Sequence, residues 1–172
     1  MRQAGPDPRH GFFSGYLKNA QATDEAWKGG WLNTGDVVTM DTDGDLHFID
    51  RRKNVIRRSG ENISAAEVEA VLGTHPAVHQ IAIVAVPDDL RDEEVMALVI
   101  PSGDATEAVA KAIADFAREQ LAYYKAPGWL GFVEDLPVTA TAKLQRGAMR
   151  ALADQALADG AYDLRHLKKR VA

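Results

Sequence analysis

From Val55 onward the sequence predicts a small α+β domain in which helices pack on a short sheet. Three observations carry that reading. Ser64-Ala65-Ala66-Glu67 has the spacing of a capping box, in which a hydroxyl and a carboxylate satisfy backbone donors at a helix start. Val78 to Val86 and Val95 to Ile100 are β-branched apolar runs separated by charged turn residues, as two strands would be. Ala105 to Leu121 then returns to helical spacing, with Val109, Ile113, Phe116 and Ala117 recurring on one face.

Met1 to Gly15 is rich in Gly, Pro and charge and has no period, which predicts a loop. Thr23 is placed to cap one short helical turn before Gly29-Gly30 stops it. Val37 to Ile49 reads as a β-hairpin turning at Asp43-Gly44, with alternation returning in Leu46-His47-Phe48-Ile49. The helix opened at Ser64 carries Val68, Val71 and Leu72 and ends at Gly73. Leu121 to Pro127 is extended, because a proline disfavours helix in the residue before it. Trp129 to Val133 gives a third strand and Gln145 to Leu157 a last helix. The order from Val55 is thus helix, strand, strand, helix, strand, loop, helix. Residues before Asp50 have strands but too little apolar content for a core of their own, so they belong to something else.

The 172 residues are enough for one domain, or for a small domain plus a piece of another. A formal net charge of −5 argues against a general nucleic-acid binder, which needs a basic face against phosphates. The chain has no cysteine, which removes disulfides, thiolate zinc sites and a cysteine nucleophile. It has no apolar run of membrane-spanning length and no signal-peptide core at its start, so the expectation is a soluble cytoplasmic protein.

Several residues carry chemistry in principle. Asp36 follows the Thr34-Gly35 turn, and a carboxylate fixed there can accept both hydroxyls of a ribose, or simply bind its own backbone. Asp50-Arg51-Arg52-Lys53 is a charged break between apolar runs; an arginine there can bridge ribose and phosphate, and the alternative is a solvated loop. Ser59-Gly60-Glu61-Asn62 is a tight loop just before a helix N-terminus, where backbone N–H groups favour anions. Lys143 ends a stretch of small and hydroxyl residues, a flexible cation able to enter a neighbouring cleft and neutralise charge developing on a phosphate. Asp41-Thr42-Asp43-Gly44-Asp45 fails as a calcium loop, because its glycine is misplaced and Arg52 stands where the closing glutamate belongs. The five histidines lack metal-ligand spacing, so no metal site is expected in the chain. Leu167-Lys168-Lys169-Arg170 reads as a short, solvated basic tail.

Together these stretches resemble one pattern, the C-terminal third of the adenylate-forming superfamily of acyl-CoA synthetases, luciferases and peptide-synthetase adenylation domains. Gly15-Tyr16, Glu25-Ala26 and Gly30 to Asp36 resemble its GY, EA and GW..TGD elements. Asp43 to Lys53 resembles its hinge segment, Arg58 to Glu69 its GGENI.P.E.E loop, and Pro137 to Lys143 its terminal P.T.TGK. The wording of Arg57 to Ser64 and of Leu121 to Pro127 is most similar to carnitine- and crotonobetaine-type CoA ligases.

The resemblance implies a small C-terminal α+β lid domain, its short sheet flanked by helices, preceded by a β-hairpin fragment of a large N-terminal domain. Residues 1–50 would be the end of the large adenylation domain, 51–54 the hinge and 55–172 the mobile domain. Asp36 would hold the ATP ribose, Arg51 would lie beside ribose and phosphate, and Phe48 near the adenine. Lys53 would be the pivot and Lys143 the catalytic lysine of adenylation. Ser59, Gly60 and Glu61 would line the passage of CoA, with Lys125 meeting its nucleotide. ATP, Mg2+ and CoA are the implied cosubstrates, and a carboxylic acid the substrate.

Three departures stand out. Ala142 replaces the glycine before the lysine, Asn33 replaces a histidine, and Ala126 replaces an arginine found in some relatives. The phosphate loop, the aromatic-Thr-Glu motif and the acyl pocket are not in this sequence, so the chain alone is expected to be inactive without a large domain, from the same gene or a separate chain. The alternatives are a free-standing lid or interaction module, an inactive truncated remnant, or an adenylation domain that loads a carrier-protein thiol.

Overall fold

The computed structural model describes residues 1–141 and 143–168. The chain divides into two compact units, Met1–Lys53 and a second from Asn54 onward.

In the first unit, helix α1 (Ala20–Ala26) is followed by two short paired strands, β1 (Trp27–Lys28) and β2 (Trp31–Leu32), and a hairpin of β3 (Asp36–Met40) and β4 (Leu46–Arg51). The hairpin turns where the sequence places it. Gly44 takes φ +90°, and Asp41 Oδ1 accepts from the N–H groups of Asp43 and Asp45. The cap of α1 differs from expectation. Asn19 Oδ1 accepts from Ala22 N–H and opens the helix, and Thr23 lies inside it, its Oγ1 accepting from Tyr16 N–H and donating to the Asn19 carbonyl. Trp27 is the only buried apolar side chain of this unit; Val38, Met40, Leu46 and Phe48 of the hairpin are exposed. A two-stranded hairpin with so little beneath it is marginal in water.

A 3-10 turn at Arg52–Asn54 leads into the second unit. There β5 (Val55–Arg58) and β6 (Glu61–Ser64) form a hairpin, followed by α2 (Ala65–Leu72), β7 (Val78–Asp88), β8 (Asp92–Pro101), α3 (Glu107–Gln120), β9 (Trp129–Phe132), α4 (Arg146–Ala158) and β10 (Tyr162–Asp163). The strands make one mixed sheet in the order β10-β9-β8-β5-β6, with β7 antiparallel to β8 along its length and β9 parallel to it. The α+β class is as the sequence predicts. The β5–β6 hairpin and β10 are additions. Four-residue strands studded with Arg57, Arg58, Glu61 and Asn62 give no visible alternation, although Ile56 pairs with Ile63 and Arg58 with Glu61.

β8 explains the rest of the packing. Val95, Ala97 and Val99 join a core with α2 and α3, while Met96 and Leu98 join a second core with Met149, Ala153 and Ala156 of α4. Helices therefore cover both faces of this strand, which is why its sequence is a continuous apolar run. Ser64 Oγ accepts from Glu67 N–H and starts α2, and Thr106 Oγ1 accepts from Val109 N–H and starts α3. Gly131 of β9 lets α4 approach; a Cβ there would come within 2.9 Å of Ala156 Cβ.

A charged cluster lies inside this unit. Glu94, at the head of β8, is wholly buried, and both its oxygens lie 2.9 Å from Arg58 Nε. Glu94 Oε1 also accepts from Lys168 Nζ at 2.5 Å and from Val95 N–H at 2.8 Å. Lys168 is thus buried, and the expectation of a solvated tail is wrong for it; Lys169 and Arg170 lie outside the described residues. The turn Arg165–Leu167 carries it inward, held by Arg165, which bonds Asp163 and Asp88 and stacks on Trp129 at 4.5 Å. Gly128 makes the space, since a Cβ there would lie 2.5 Å from Glu94 Cγ.

Replacing Glu94 by Gln leaves two cations buried against one neutral amide. The expected loss is about 3–5 kcal/mol in urea unfolding. Burial pushes the Lys168 ammonium down to about 8, with Glu94 partly opposing the shift. Because the unfolded value is 10.5, the unfolded chain binds more protons between the two values, so this group's contribution to stability grows as pH rises through that window. Lys168→Met is therefore expected to gain on the wild type most below pH 8 and to lose that advantage towards pH 10, measured as urea midpoints across that range.

Candidate functional site

One group of candidate residues forms in the first unit, and the candidates of the second unit stand on three separate segments. In the first, β3 and β4 pair so that Asp36 stands opposite Arg51, and Arg51 Nε lies 3.3 Å from Asp36 Oδ1. The turn before Asp36 is satisfied by its neighbours: Asn33 Oδ1 accepts from Gly35 N–H, Thr34 Oγ1 from Asp36 N–H, and Gly35 takes φ +75°. The Asp36 carboxylate is thereby free of turn duty and faces a cation. With the Asp36 side chain 29% exposed and that of Arg51 60% exposed, this pair is worth at most about 1 kcal/mol, weak enough for a ligand's hydroxyls and phosphate to replace it. Beside it, Thr34, Gly35, Arg51, Arg52 and Lys53 line an open depression of about 540 Å³. Three cations on one rim suit a phosphate. Phe48, opposite Val38, is 62% exposed and presents a free ring. Arg51 N–H donates to Asp50 Oδ1 and Arg52 N–H to the Gly35 carbonyl, which fixes the corner.

In the second unit, Lys143 is exposed at the end of a closed loop. Val138 bridges Leu144, Thr139 N–H donates to the Lys143 carbonyl at 2.7 Å, and Lys143 N–H donates to Thr139 Oγ1 at 3.2 Å. Ala142, the departure before the lysine, lies outside the described residues. Three residues after Lys143, Arg146 opens α4 and closes a two-pronged pair on Glu69 of α2, both N–O distances being 2.6 Å. Glu69 Oε1 also accepts from Ile83 N–H, and Arg146 donates to the Ile83 carbonyl, so the fork occupies the backbone groups of β7 at that position. Arg150 adds a bond to the Ala85 carbonyl. The sequence reading missed this fork because its partners lie 77 residues apart and only the fold joins them.

The Ser59-Gly60 turn joins β5 to β6, with φ +50° at Ser59 and +86° at Gly60. It is sewn to the β7–β8 turn: Ser59 N–H donates to the Arg91 carbonyl, Arg57 N–H to Glu93 Oε2, and Arg58 pairs with Asp92. Glu61 is exposed. Lys125 is committed to Glu67 of α2, its Nζ 2.5 Å from Oε1, an exposed pair that an anion can displace. The buried partners of Arg58 were missed. The available signal was a charge in phase with Ile56 on one strand and a glutamate abutting the apolar run of another.

Among the described residues no three His, Cys, Asp or Glu side chains gather to hold a metal ion, and no helix is long and apolar enough to cross a membrane.

Residues 67–143 match the family model of the AMP-binding enzyme C-terminal domain. The chain is 41% identical over 141 residues to 2-succinylbenzoate–CoA ligase of Bacillus mycoides, a match covering 82% of this chain and 29% of that protein. It is 40% identical over 147 residues to a probable acyl-activating enzyme of Arabidopsis thaliana, covering 80% and 28%. Among solved structures it is similar to o-succinylbenzoate CoA synthetase from Bacillus subtilis in complex with its acyl-adenylate intermediate, with TM-score 0.69, 33% identity and coverage of 80% and 28%. It is also similar to an anthranilate CoA ligase in complex with anthranoyl-AMP, with TM-score 0.70, 36% identity and coverage of 84% and 28%. The chain thus spans between a quarter and a third of the length of these relatives.

Arg146→Lys keeps the charge but loses the fork. It is expected to cost about 1–2 kcal/mol in urea unfolding and to speed amide exchange at Thr139 and Lys143.

Proposed function

As the chain carries the C-terminal domain of the AMP-binding acyl-CoA ligase family, we propose that it is the hinge and mobile part of an ATP-dependent acid–CoA ligase. The observation that carries this is the pairing of Asp36 with Arg51 at one register position, beside a depression rimmed by Arg51, Arg52 and Lys53. That arrangement suits a ribose and a phosphate together. In this reading the Asp36 carboxylate accepts the ribose hydroxyls, Arg51 meets the ribose and phosphate, and Phe48 offers its ring to the adenine. Lys53 is the pivot, a role supported by the division of the chain into compact units after that residue.

Lys143 acts in adenylation. The substrate carboxylate attacks the α-phosphorus of ATP, the bond to pyrophosphate breaks, and negative charge grows on the phosphoryl oxygens. An ammonium brought up only in that state lowers the barrier selectively. Its exposed loop, closed at the base and anchored by Arg146, presents such a cation. After the domain turns, Ser59, Gly60 and Glu61 border the path of the CoA thiol, which displaces AMP, and Lys125 exchanges Glu67 for CoA phosphate. Mg2+ is proposed to enter on the ATP phosphates, which suits its preference for phosphate oxygens and water over an all-protein cage.

The large adenylation domain, in the same chain or another, supplies the remaining phosphate contacts and the acid pocket. The single buried apolar side chain of residues 1–53 supports assigning that unit to such a domain, and the isolated chain is proposed to be inactive. The acid is left at the level of a carboxylate. The carnitine-type wording of Arg57 to Ser64 and of Leu121 to Pro127 finds no support in the relatives above, whose names are those of 2-succinylbenzoate, anthranilate and acyl-activating enzymes.

Lys143→Ala in the complete ligase is expected to lower carboxylate-dependent pyrophosphate exchange by roughly 100- to 1000-fold, the scale of losing one electrostatic stabiliser. Transfer from preformed acyl-adenylate to CoA should be little changed. Wild-type exchange in this variant overturns the assignment.

A further inference from the structure

The Arg58–Glu94–Lys168 cluster has no part in the chemistry above, yet it lies directly under one of its loops. Arg58 is the residue before Ser59-Gly60, and its side chain turns inward, 3% exposed, to a Glu94 that is 0% exposed and a Lys168 that is 1% exposed. We propose that Lys168 is a positioning residue for the thioester-forming step, fixing the Glu94–Arg58 pair and through it the Ser59–Glu61 loop that borders the path of the thiol. This rests on the ligase reading of the same loop.

Three observations converge on it. First, the loop is strained. Ser59 at φ +50° and Asp92 at φ +65° are non-glycine residues in the left-handed region, set next to one another by the Arg58–Asp92 pairing. Such backbone persists only where its surroundings over-determine it. Second, the restraint comes from below as well as from the sides. The Ser59–Arg91 and Arg57–Glu93 bonds hold the edges, and the buried carboxylate holds the Arg58 side chain. Third, the arrival of Lys168 is built. Arg165 fastens the preceding turn to Asp88, at the end of β7 next to the same β7–β8 turn, and Gly128 leaves the space that Glu94 needs. The cluster carries two cations for one carboxylate. An ion pair of Arg58 and Glu94 would be neutral without Lys168, so charge balance does not require the lysine. Its geometric effect is to share Glu94 Oε1 and hold the carboxylate in the orientation that grips Arg58.

A positioning residue for one half-reaction leaves the other alone, whereas a merely structural residue affects both. In the complete ligase, carboxylate-dependent pyrophosphate exchange reads adenylation, and single-turnover transfer from preformed acyl-adenylate to CoA reads the second step. Lys168→Met is expected to slow transfer roughly 10- to 100-fold, the scale of a small misplacement at a reacting site, and to leave exchange within about twofold of wild type. Equal slowing of both steps, or no slowing of transfer, overturns the proposal. Lys143→Ala run alongside separates the two readings: wild-type exchange in that variant removes the ligase assignment, while loss of exchange there with intact transfer in Lys168→Met removes only the positioning role. Should the Lys168→Met ligase not accumulate as a folded enzyme, amide exchange in the chain carrying Lys168→Gln decides. Faster exchange at Ser59 and Gly60 with unchanged protection in α3 supports the proposal, and uniform loss of protection overturns it.

Discussion

Glu94 opens the stretch of β8 that is buried on both faces, and a carboxylate in that position must find its countercharge within the domain. Arg58 supplies it from β5, Val95 adds a backbone N–H, and Lys168 arrives from beyond β10. The requirement reaches further than these contacts. It goes with a glycine at position 128 and orients the residue that leads into the Ser59-Gly60 turn, while Lys168, which charge balance does not require, brings a segment that looks like a polar tail into the interior. A buried charge network of this kind gives little net stability, because desolvation offsets most of the attraction. Removing one partner is what costs, because a charge is then left buried and unpaired.

The Glu69–Arg146 fork does comparable work at β7. Glu69 takes the Ile83 N–H and Arg146 meets the Ile83 carbonyl, so two side chains stand where another strand would bond. This protects backbone that could otherwise pair with another chain. It also ties the start of α4 to α2 and β7, and Lys143 sits just ahead of that tie. An exposed cation thus follows a loop whose base is fixed by backbone bonds and by the Arg146 fork.

The first unit has a different character. Its strands are short, Trp27 alone is buried among its apolar side chains, and the hairpin shows Val38, Met40, Leu46 and Phe48 to solvent. What it does have is chemical order: Asn33 and Thr34 satisfy the turn, and the strand register sets Asp36 against Arg51. Sparse packing and ordered turn geometry thus stand side by side in this unit.

The sequence by itself determined the α+β class, the Asp43-Gly44 hairpin, the capped start at Ser64 and the long strands around β8, because each of these is written in local chemistry: a turn residue, a hydroxyl, a run of apolar side chains. It also marked Asp36, Arg51 and Lys143 as candidates by their place in motifs. Thr23 as a cap was misread because Asn19, four residues earlier, competes for the same role and wins. The β5–β6 hairpin escaped notice because its charged residues hide a period of two. Tertiary structure alone decided that Asp36 meets Arg51, that Arg146 grips Glu69 and that Lys168 is inside. Those are pairings across 15, 77 and 74 positions of chain, and no local pattern records which distant charge a side chain will meet once the backbone has closed around it.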